Sequence, residues 1–254
     1  MPPHGGRKSK NMTEFEQYVD LIDTTHDMKF SSVSNLRWTP WVGKRFQKKT
    51  SPKLLIVGES HYAKARKNET IEEVQEKEER NRELTREVVW ECPVSKDWKN
   101  STLDKIGPIF VGDENYKRRD FWQDFAFYNF VQRMVRYIQP PERPSDSDFA
   151  SGWVVFHEVL KIVKPDYCVF LGSQARHTFW SSMKNIGAEF SNQERSEQVG
   201  RCWSYRAEVR LDGKSVPIVF IQHPGKYFSP PAWHDYLLRQ YASEITELKN
   251  EYKG

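Results

Sequence analysis

One short stretch constrains the fold more than any other, because an apolar run stops at a glycine and polar side chains follow at once. The run extends from Lys53 to Gly58, and Glu59, Ser60, His61 and Tyr62 follow it. Its length and its branched residues predict a buried strand. Ligands of open α/β sheets bind outside the carboxyl ends of such strands, so this loop is a candidate site.

The same arrangement recurs towards the C-terminus. An apolar run, Tyr167–Leu171, is followed by the polar turn Gly172–Ala175 and a predicted helix. A hairpin through Asp212-Gly213 then leads to a last strand that ends at Ile221. Repeated strand–turn–helix units predict parallel strands covered by helices. We therefore expect an α/β fold, a three-layer α/β/α sandwich with a central, mainly parallel sheet.

A highly charged segment at about residues 67–105 follows the first core strand. It opens with Thr70 and Glu73, which are spaced as a capping box, and it has few apolar positions before Val88. This pattern predicts an exposed helical insertion. Two roles remain open for it, a lid over the site and a plain solvated helix.

The most aromatic segment, Phe121–Ile138, is ambiguous in its secondary structure. Its start fits a strand and its end fits a helix, and periodicity does not decide between them. Asn129 is the polar exception within the run from Phe125 to Val131. A buried amide must satisfy both donor and acceptor atoms, so Asn129 is bonded within the protein or directed at a ligand.

Length and composition favour one domain in the 254-residue chain. Residues 1–11 resemble a disordered basic tail, and residues 12–254 form the predicted domain. No apolar run approaches the roughly 18 to 20 residues of a membrane span, and the start lacks a signal peptide, so we expect a cytoplasmic, intracellular protein. The three cysteines are far apart, which argues against a zinc or iron–sulfur site. We expect a monomer without metal or cofactor.

Basic residues are concentrated around the first strand. Between Lys29 and Lys67 lie eight lysines and arginines against one acid, Glu59. Such a segment suits a polyanion, which indicates DNA as a partner, and a solvated loop is the alternative.

Three loops, each after a predicted strand, resemble in order the motifs of the uracil-DNA glycosylase superfamily. They are Gly58–Tyr62, Tyr128-Asn129 and His223-Pro224. The likeness covers roughly residues 53–236, with the insertion as an interruption. Ser60 stands where the best-known uracil enzymes have an Asp, and His61 replaces a Pro. Glu59 matches the Glu of iron–sulfur members, but the cysteines that hold their cluster are missing.

The resemblance implies a DNA glycosylase that flips a base out of DNA and hydrolyses its N-glycosidic bond. It implies catalytic roles for Glu59, Asn129 and His223. It places substrate contacts at Gly58, Ser60, His61, Tyr62, Tyr128 and Pro224. It places the wedge that replaces the flipped base among Lys226, Tyr227 and Phe228, which are candidate DNA contacts. Lys64 and Arg66 of the basic segment are further candidate DNA contacts. Tyr62 and the insertion suggest a pocket for a base larger than uracil, including modified pyrimidines of viral DNA, and therefore a role in defence.

Two other functions fit parts of the sequence. A serine hydrolase would use Ser60 and His223, which have the right chain order, although Tyr62 occupies a position that needs glycine in a nucleophile elbow. A catalytically inactive nucleic-acid-binding module is the second, because Ser60 replaces the usual acid. A metal enzyme built on His61 and His223 lacks a ligand pair with suitable spacing.

Overall fold

The computed structural model describes residues 14–48, 52–100 and 102–254, and a mixed sheet forms the centre of this part of the chain. The predicted tail, residues 1–11, lies outside it. The described strands are β1 (Trp41–Val42), β2 (Leu54–Gly58), β3 (Tyr62–Ala63), β4 (Ala126–Asn129), β5 (Val135–Arg136), β6 (Tyr167–Leu171), β7 (Glu189–Phe190), β8 (Glu194–Val199), β9 (Cys202–Leu211) and β10 (Lys214–Ile221).

Helices precede, follow and connect these strands. The described α-helices are α1 (Glu14–Tyr18), α2 (Asp27–Ser31), α3 (Ile71–Arg80), α4 (Leu84–Val89), α5 (Ile106–Val111), α6 (Arg118–Asp124), α7 (Asp146–Val163), α8 (Phe179–Asn185), α9 (Pro230–Gln240) and α10 (Ala242–Tyr252). Single turns of 3₁₀-helix occur at Val19–Leu21, Phe46–Lys48, Leu103–Lys105 and Gln174–Thr178, and a π-helix at Trp90–Val94.

The main sheet has the strand order β1-β4-β2-β6-β10-β9-β7, with β8 paired to β9. The four central strands, β4, β2, β6 and β10, are parallel, and the outer pairings are antiparallel. The predicted hairpin is confirmed, since β9 and β10 are joined through Asp212 and Gly213, both with positive φ. Parallel order brings the carboxyl ends of the four central strands to one edge of the sheet.

Helices cover both faces of this sheet, as the predicted α/β/α sandwich requires. Side chains of β2 alternate between two cores: Leu54 and Ile56 belong to one, with residues of α5, α6, α9 and α10. Leu55 and Val57 belong to the other, with residues of α2, α7 and α8. Burial on both faces explains why this strand is a continuous apolar run rather than an alternating one.

The charged insertion divides into an exposed part and a buried part. Helix α3 has no buried residue, and its predicted capping box between Thr70 and Glu73 is present. Helix α4 differs, because Arg86 is fully buried. Its guanidinium donates to both carboxylate oxygens of Asp27, to Glu83 and to the carbonyl of Pro40. The prediction that the whole segment is an exposed helix was therefore wrong for α4, which is part of the body of the protein.

Replacing Arg86 tests this anchoring role. We expect Arg86→Met to lower the free energy of unfolding by about 3 kcal/mol, the lower end of the range for a broken buried ion pair, because the partner carboxylates keep some solvent contact. The matched control is Arg80→Met, which removes an exposed ion pair with Glu76 and costs less than about 1 kcal/mol. Urea unfolding measures both. Equal effects would contradict the anchoring role.

The structure settles the secondary structure of the aromatic segment, which the sequence left open, and its order is the reverse of the one that the sequence pattern fits. A helix, α6, comes first and the strand β4 follows it, and no helix forms between Asn129 and Ile138. The backbone after β4 bonds to the loop after β2 instead: the amides of Phe130 and Val131 donate to the carbonyls of Gly58 and Glu59. This pairing continues into the two-stranded sheet of β3 and β5 and uses groups that a helix would need.

No helix among the described residues is long and apolar enough to span a membrane.

Candidate active site

The carboxyl ends of the four central strands are level with one another. Gly58 is in register with Asn129, and Leu171 with Ile221. The first loop, the Asn129 segment, the Gly172 turn and the His223 loop therefore start side by side. Sheet register alone brings Glu59 and His223 to the same edge, although they are 164 positions apart in the sequence.

Two glycines permit close approach between these loops. A β-carbon at Gly58 would collide with Oδ1 of Asn129, so the amide lies directly against the bare backbone of β2. Gly172 has a φ of +145°, and a β-carbon there would lie 3.3 Å from Oε2 of Glu59 and 3.9 Å from Cβ of His223. The turn at Gly172 is thus flanked by the Glu59 carboxylate and by His223.

A narrow cleft opens at this edge of the sheet, and its free space is only about 10 Å³, roughly enough for one water molecule. Glu59 and the two glycines form its polar part. Its other walls are Val57, Phe130, Phe149, Phe170, Leu171 and Ala175. The rings of Phe130 and Phe149 are inclined by 29°, with centroids 6.5 Å apart, and both are buried.

The polar side chains at the cleft are not used by the fold. Within the part of the chain that the structure describes, the Glu59 carboxylate, the Asn129 amide and the His223 ring make no side-chain hydrogen bond or ion pair. Asn129 is only 8% exposed. Partly buried polar groups normally find partners, and three without one at the same edge of the sheet indicate a ligand site.

The charge state of Glu59 depends on a residue that the sequence did not single out. Burial raises the pKa of Glu59, and the positive charge of Arg143 acts against this rise. Arg143 lies in the Pro-rich loop before α7. The preceding Glu142 fixes that loop through hydrogen bonds from the side chain of Arg133 and the backbone amide of Arg136. Arg143 itself is exposed and makes no hydrogen bond or ion pair among the described residues.

His223 is held in its neutral form. Burial lowers its pKa, and the positive charges of Arg143 and Lys105 lower it further. The amine of Lys105 donates to the carbonyls of Pro224, at 3.1 Å, and Gly225, at 2.6 Å. Lys105 lies at the end of the charged segment and fixes the His223 loop, a role that its position in the sequence did not reveal.

Three residues predicted to contact substrate have other surroundings. His61 is buried against Trp38 and its ring bonds to Thr85 of α4, while burial lowers its pKa to about 3. Tyr128 is fully buried in the core that contains α7. Neither His61 nor Tyr128 lines the cleft, so each contributes to the packing around the site and not to its surface. The Ser60 hydroxyl is buried and has no hydrogen-bond partner in the described chain, so no Ser60–His223 pair of a serine hydrolase is formed.

The three wedge candidates after His223 differ in their exposure to solvent. Phe228 is 7% exposed and stacks on Trp233 of α9, so its predicted contact with DNA was wrong. Tyr227 is 83% exposed, and the amine of Lys226 lies 5.4 Å from the centre of its ring. Of the three adjacent residues, Lys226 and Tyr227 remain available to DNA.

On the other side of the site, the loop after β3 also presents basic residues. Lys64 and Arg66 are exposed, and the Lys64 amine lies over the ring of Tyr137. Tyr62 contacts the same ring edge to face. It does not line the cleft, so its predicted contact with the base has no support in its surroundings.

Much of the basic segment is neutralised within the fold. Arg45 forms a two-pronged ion pair with Asp124 and also reaches Asp120, and Arg37 pairs with Glu79. Fewer unpaired positive side chains therefore lie near the site than the count of basic residues between Lys29 and Lys67 suggests.

Among the described residues, no group of three or more His, Cys, Asp or Glu side chains could hold a metal ion. Comparison with models of known protein families and with curated proteins finds no match. The geometry of the site therefore carries the functional argument.

Proposed function

We propose that this protein is a DNA glycosylase that accepts a flipped pyrimidine in the aromatic cleft and hydrolyses its N-glycosidic bond. One observation carries the proposal. Glu59, Asn129 and His223 reach one edge of the sheet from three different loops, and their polar side chains have no partner among the described residues. The order and identity of these loops resemble the motifs of the uracil-DNA glycosylase superfamily.

Each of the three groups suits one requirement of the reaction. Water adds to the anomeric carbon of the sugar, and the base leaves with the electrons of the broken bond. Ionised Glu59 orients that water and stabilises the positive charge on the sugar. Neutral His223 donates a hydrogen bond to the oxygen of the departing base. Asn129 supplies a donor and an acceptor to the pairing edge of the base.

The support for a base as the occupant comes from the polar groups and from the resemblance. Phe130, Phe149 and Phe170 line the cleft beside Glu59, but each is at most 4% exposed, so the cleft must widen to admit a base. Helix α3 does not line this cleft, so a lid over the site has no contact in its favour. A modified pyrimidine, including one from viral DNA, remains our proposed substrate class.

A panel of oligonucleotides tests this function. It contains uracil, mismatched thymine and 5-substituted cytosines in single- and double-stranded form, and abasic sites are detected by alkaline cleavage. We expect release of one modified base. Release of uracil alone would contradict the modified-base part, and the absence of abasic sites with the whole panel would favour the inactive binding module.

Arg143 provides a prediction for the pH dependence. Catalysis needs ionised Glu59, so the rate rises with pH through the pKa of Glu59, which burial places above the usual range. Removing the positive charge in Arg143→Gln raises this pKa further and also raises that of His223. We expect the acid limb of the kcat/KM profile to move to higher pH.

The control for this shift is Lys161→Gln, which removes an exposed positive charge near the far end of α7. Its profile should match that of the unaltered protein. An acid limb that stays in place or moves to lower pH in Arg143→Gln would contradict the role of Arg143.

A further inference from the structure

A series of alternating cations and aromatic rings extends from the cleft along the β8–β9 hairpin. The guanidinium carbon of Arg176 lies 4.0 Å from the centre of the Tyr205 ring, and that of Arg195 lies 4.8 Å from the Trp203 ring. We call these four residues the cation–aromatic ladder. Nothing in the chemistry proposed above uses them.

The ladder lies at the same edge of the sheet as the candidate active site. Strand β9 runs antiparallel to β10, with Tyr205 opposite Phe220, so Trp203 extends beyond the last residue of β10. His223 follows that residue by two positions. At the other end of the ladder, Arg176 directly follows Ala175, which forms part of the cleft wall. The ladder therefore starts at the cleft and continues along the hairpin.

The carboxylates of the hairpin are on its other face. Arg195 is directly opposite Tyr205, so their side chains share a face. Glu194 is opposite Arg206, which points the other way because neighbouring residues alternate. Glu197 bonds to Arg239 and Gln240 of α9 on that second face. The ladder face thus carries positive charge beside aromatic surface.

Trp203 is not needed to fill a core. It is 37% exposed, and the guanidinium of Arg195 lies against its ring. Exposed aromatic rings alternating with cations are the features by which proteins hold single-stranded DNA: bases stack on the rings and phosphates meet the charges. A duplex hides its base faces and cannot stack on Trp203 in this way.

We propose that the cation–aromatic ladder binds an unpaired stretch of DNA on one side of the target nucleotide, with a base stacked on Trp203. This inference rests on the proposed function and adds a strand preference to it. The tip residue Arg201, which is exposed, extends the positive charge along the same path. The consequence is a preference for single-stranded over double-stranded substrate.

Binding measured without turnover tests the ladder. Fluorescence anisotropy with the Glu59→Gln protein compares a labelled thymidine oligonucleotide with a duplex of the same length. We expect Trp203→Ala to weaken binding of the single strand at least about five-fold, the lower end for loss of one stacked base. Trp203→Phe, which keeps a stacking surface, should retain most of the affinity. Arg195→Gln should reduce the slope of log affinity against log salt by about one.

The matched control is Trp180→Ala. Trp180 is also exposed, at 50%, and Lys184 lies over its ring at 5.0 Å, but it belongs to α8 and not to the ladder. We expect the Trp180→Ala protein to bind the single-stranded oligonucleotide with unchanged affinity. Equal losses for Trp203→Ala and Trp180→Ala, equal losses with single strand and duplex, or no loss at all would overturn the proposal.

Failure of this proposal is distinguishable from failure of the proposed function. If the oligonucleotide panel shows abasic sites and Trp203→Ala binds single strands unchanged, the ladder proposal is contradicted and the glycosylase proposal is retained. Specific loss of single-strand binding without abasic sites on any substrate would remove the glycosylase and leave a single-strand-binding protein.

Discussion

Glu59→Gln is expected to reduce the rate of base release by roughly 10² to 10⁴-fold, the usual contribution of a catalytic carboxylate. The change keeps the size of the side chain and removes its negative charge. Without that charge, neither the attacking water nor the cationic sugar is stabilised. Single-turnover rates of abasic-site formation measure the effect, because they isolate the chemical step from product release.

Ser60→Ala is the companion variant that separates two reaction classes. Ser60 is adjacent to Glu59, and its hydroxyl has no hydrogen-bond partner in the described chain. A glycosylase that depends on Glu59 retains most of its activity in Ser60→Ala, whereas a hydrolase that uses Ser60 as nucleophile loses it. A larger loss in Ser60→Ala than in Glu59→Gln would therefore exclude the proposed mechanism.

Binding separates a chemical role of Glu59 from a structural one. We expect Glu59→Gln to bind single-stranded oligonucleotide at least as tightly as the unaltered protein, because a negative charge near the phosphates is removed. Loss of binding in parallel with loss of rate would mean that Glu59 holds the site together rather than acting on the bond.

The sequence predicted the central elements because their signals are local. The apolar runs of β2 and β6 and the Asp212-Gly213 turn each specify their structure within a few residues. Parallel order then follows from the repeated strand–turn–helix pattern. The ends of β2 and β10, and with them Glu59 and His223, could be placed from these signals, whereas the ambiguous segment around Asn129 could not.

Burial of individual side chains was less predictable because it depends on distant partners. Tyr227 and Phe228 are adjacent and chemically similar, but only Phe228 meets an apolar surface, that of Trp233. Arg86 occurs in a segment of high charge, which predicted exposure. Its burial depends on Asp27, which is 59 positions away, and on the carbonyl of Pro40. No periodicity within the segment contains that information.

The electrostatic partners of the site were missed for a related reason. Arg143 lies in the Pro-rich loop before α7, and Lys105 ends a segment that the sequence identified as an insertion. Both lower the pKa of His223, Arg143 from that loop and Lys105 from the end of the 3₁₀-helix Leu103–Lys105. The direction of a charged side chain has no local sequence signal, so these two residues required the structure.

Gly58→Ala is also expected to slow base release strongly, because the added methyl group occupies the position of the Asn129 amide. A β-carbon at residue 58 would collide with Oδ1 of Asn129, while the ring of Phe127 lies 3.0 Å away and also resists displacement. The amide must therefore move. We expect base release to slow by roughly 10²-fold, since a displacement of about 1 Å in a catalytic group has such an effect.

A double-mutant cycle tests whether Gly58→Ala slows base release by displacing the Asn129 amide. We expect Gly58→Ala to reduce the rate strongly in the unaltered protein and only slightly when Asn129→Ala is already present, because the displaced group is then missing. Gly225→Ala is the matched control: it adds a methyl group in the His223 loop, where the nearest atom is at an ordinary 3.5 Å, and should leave the rate nearly unchanged. Additive losses in the cycle would show that Gly58→Ala acts by distorting the sheet and not by displacing the Asn129 amide.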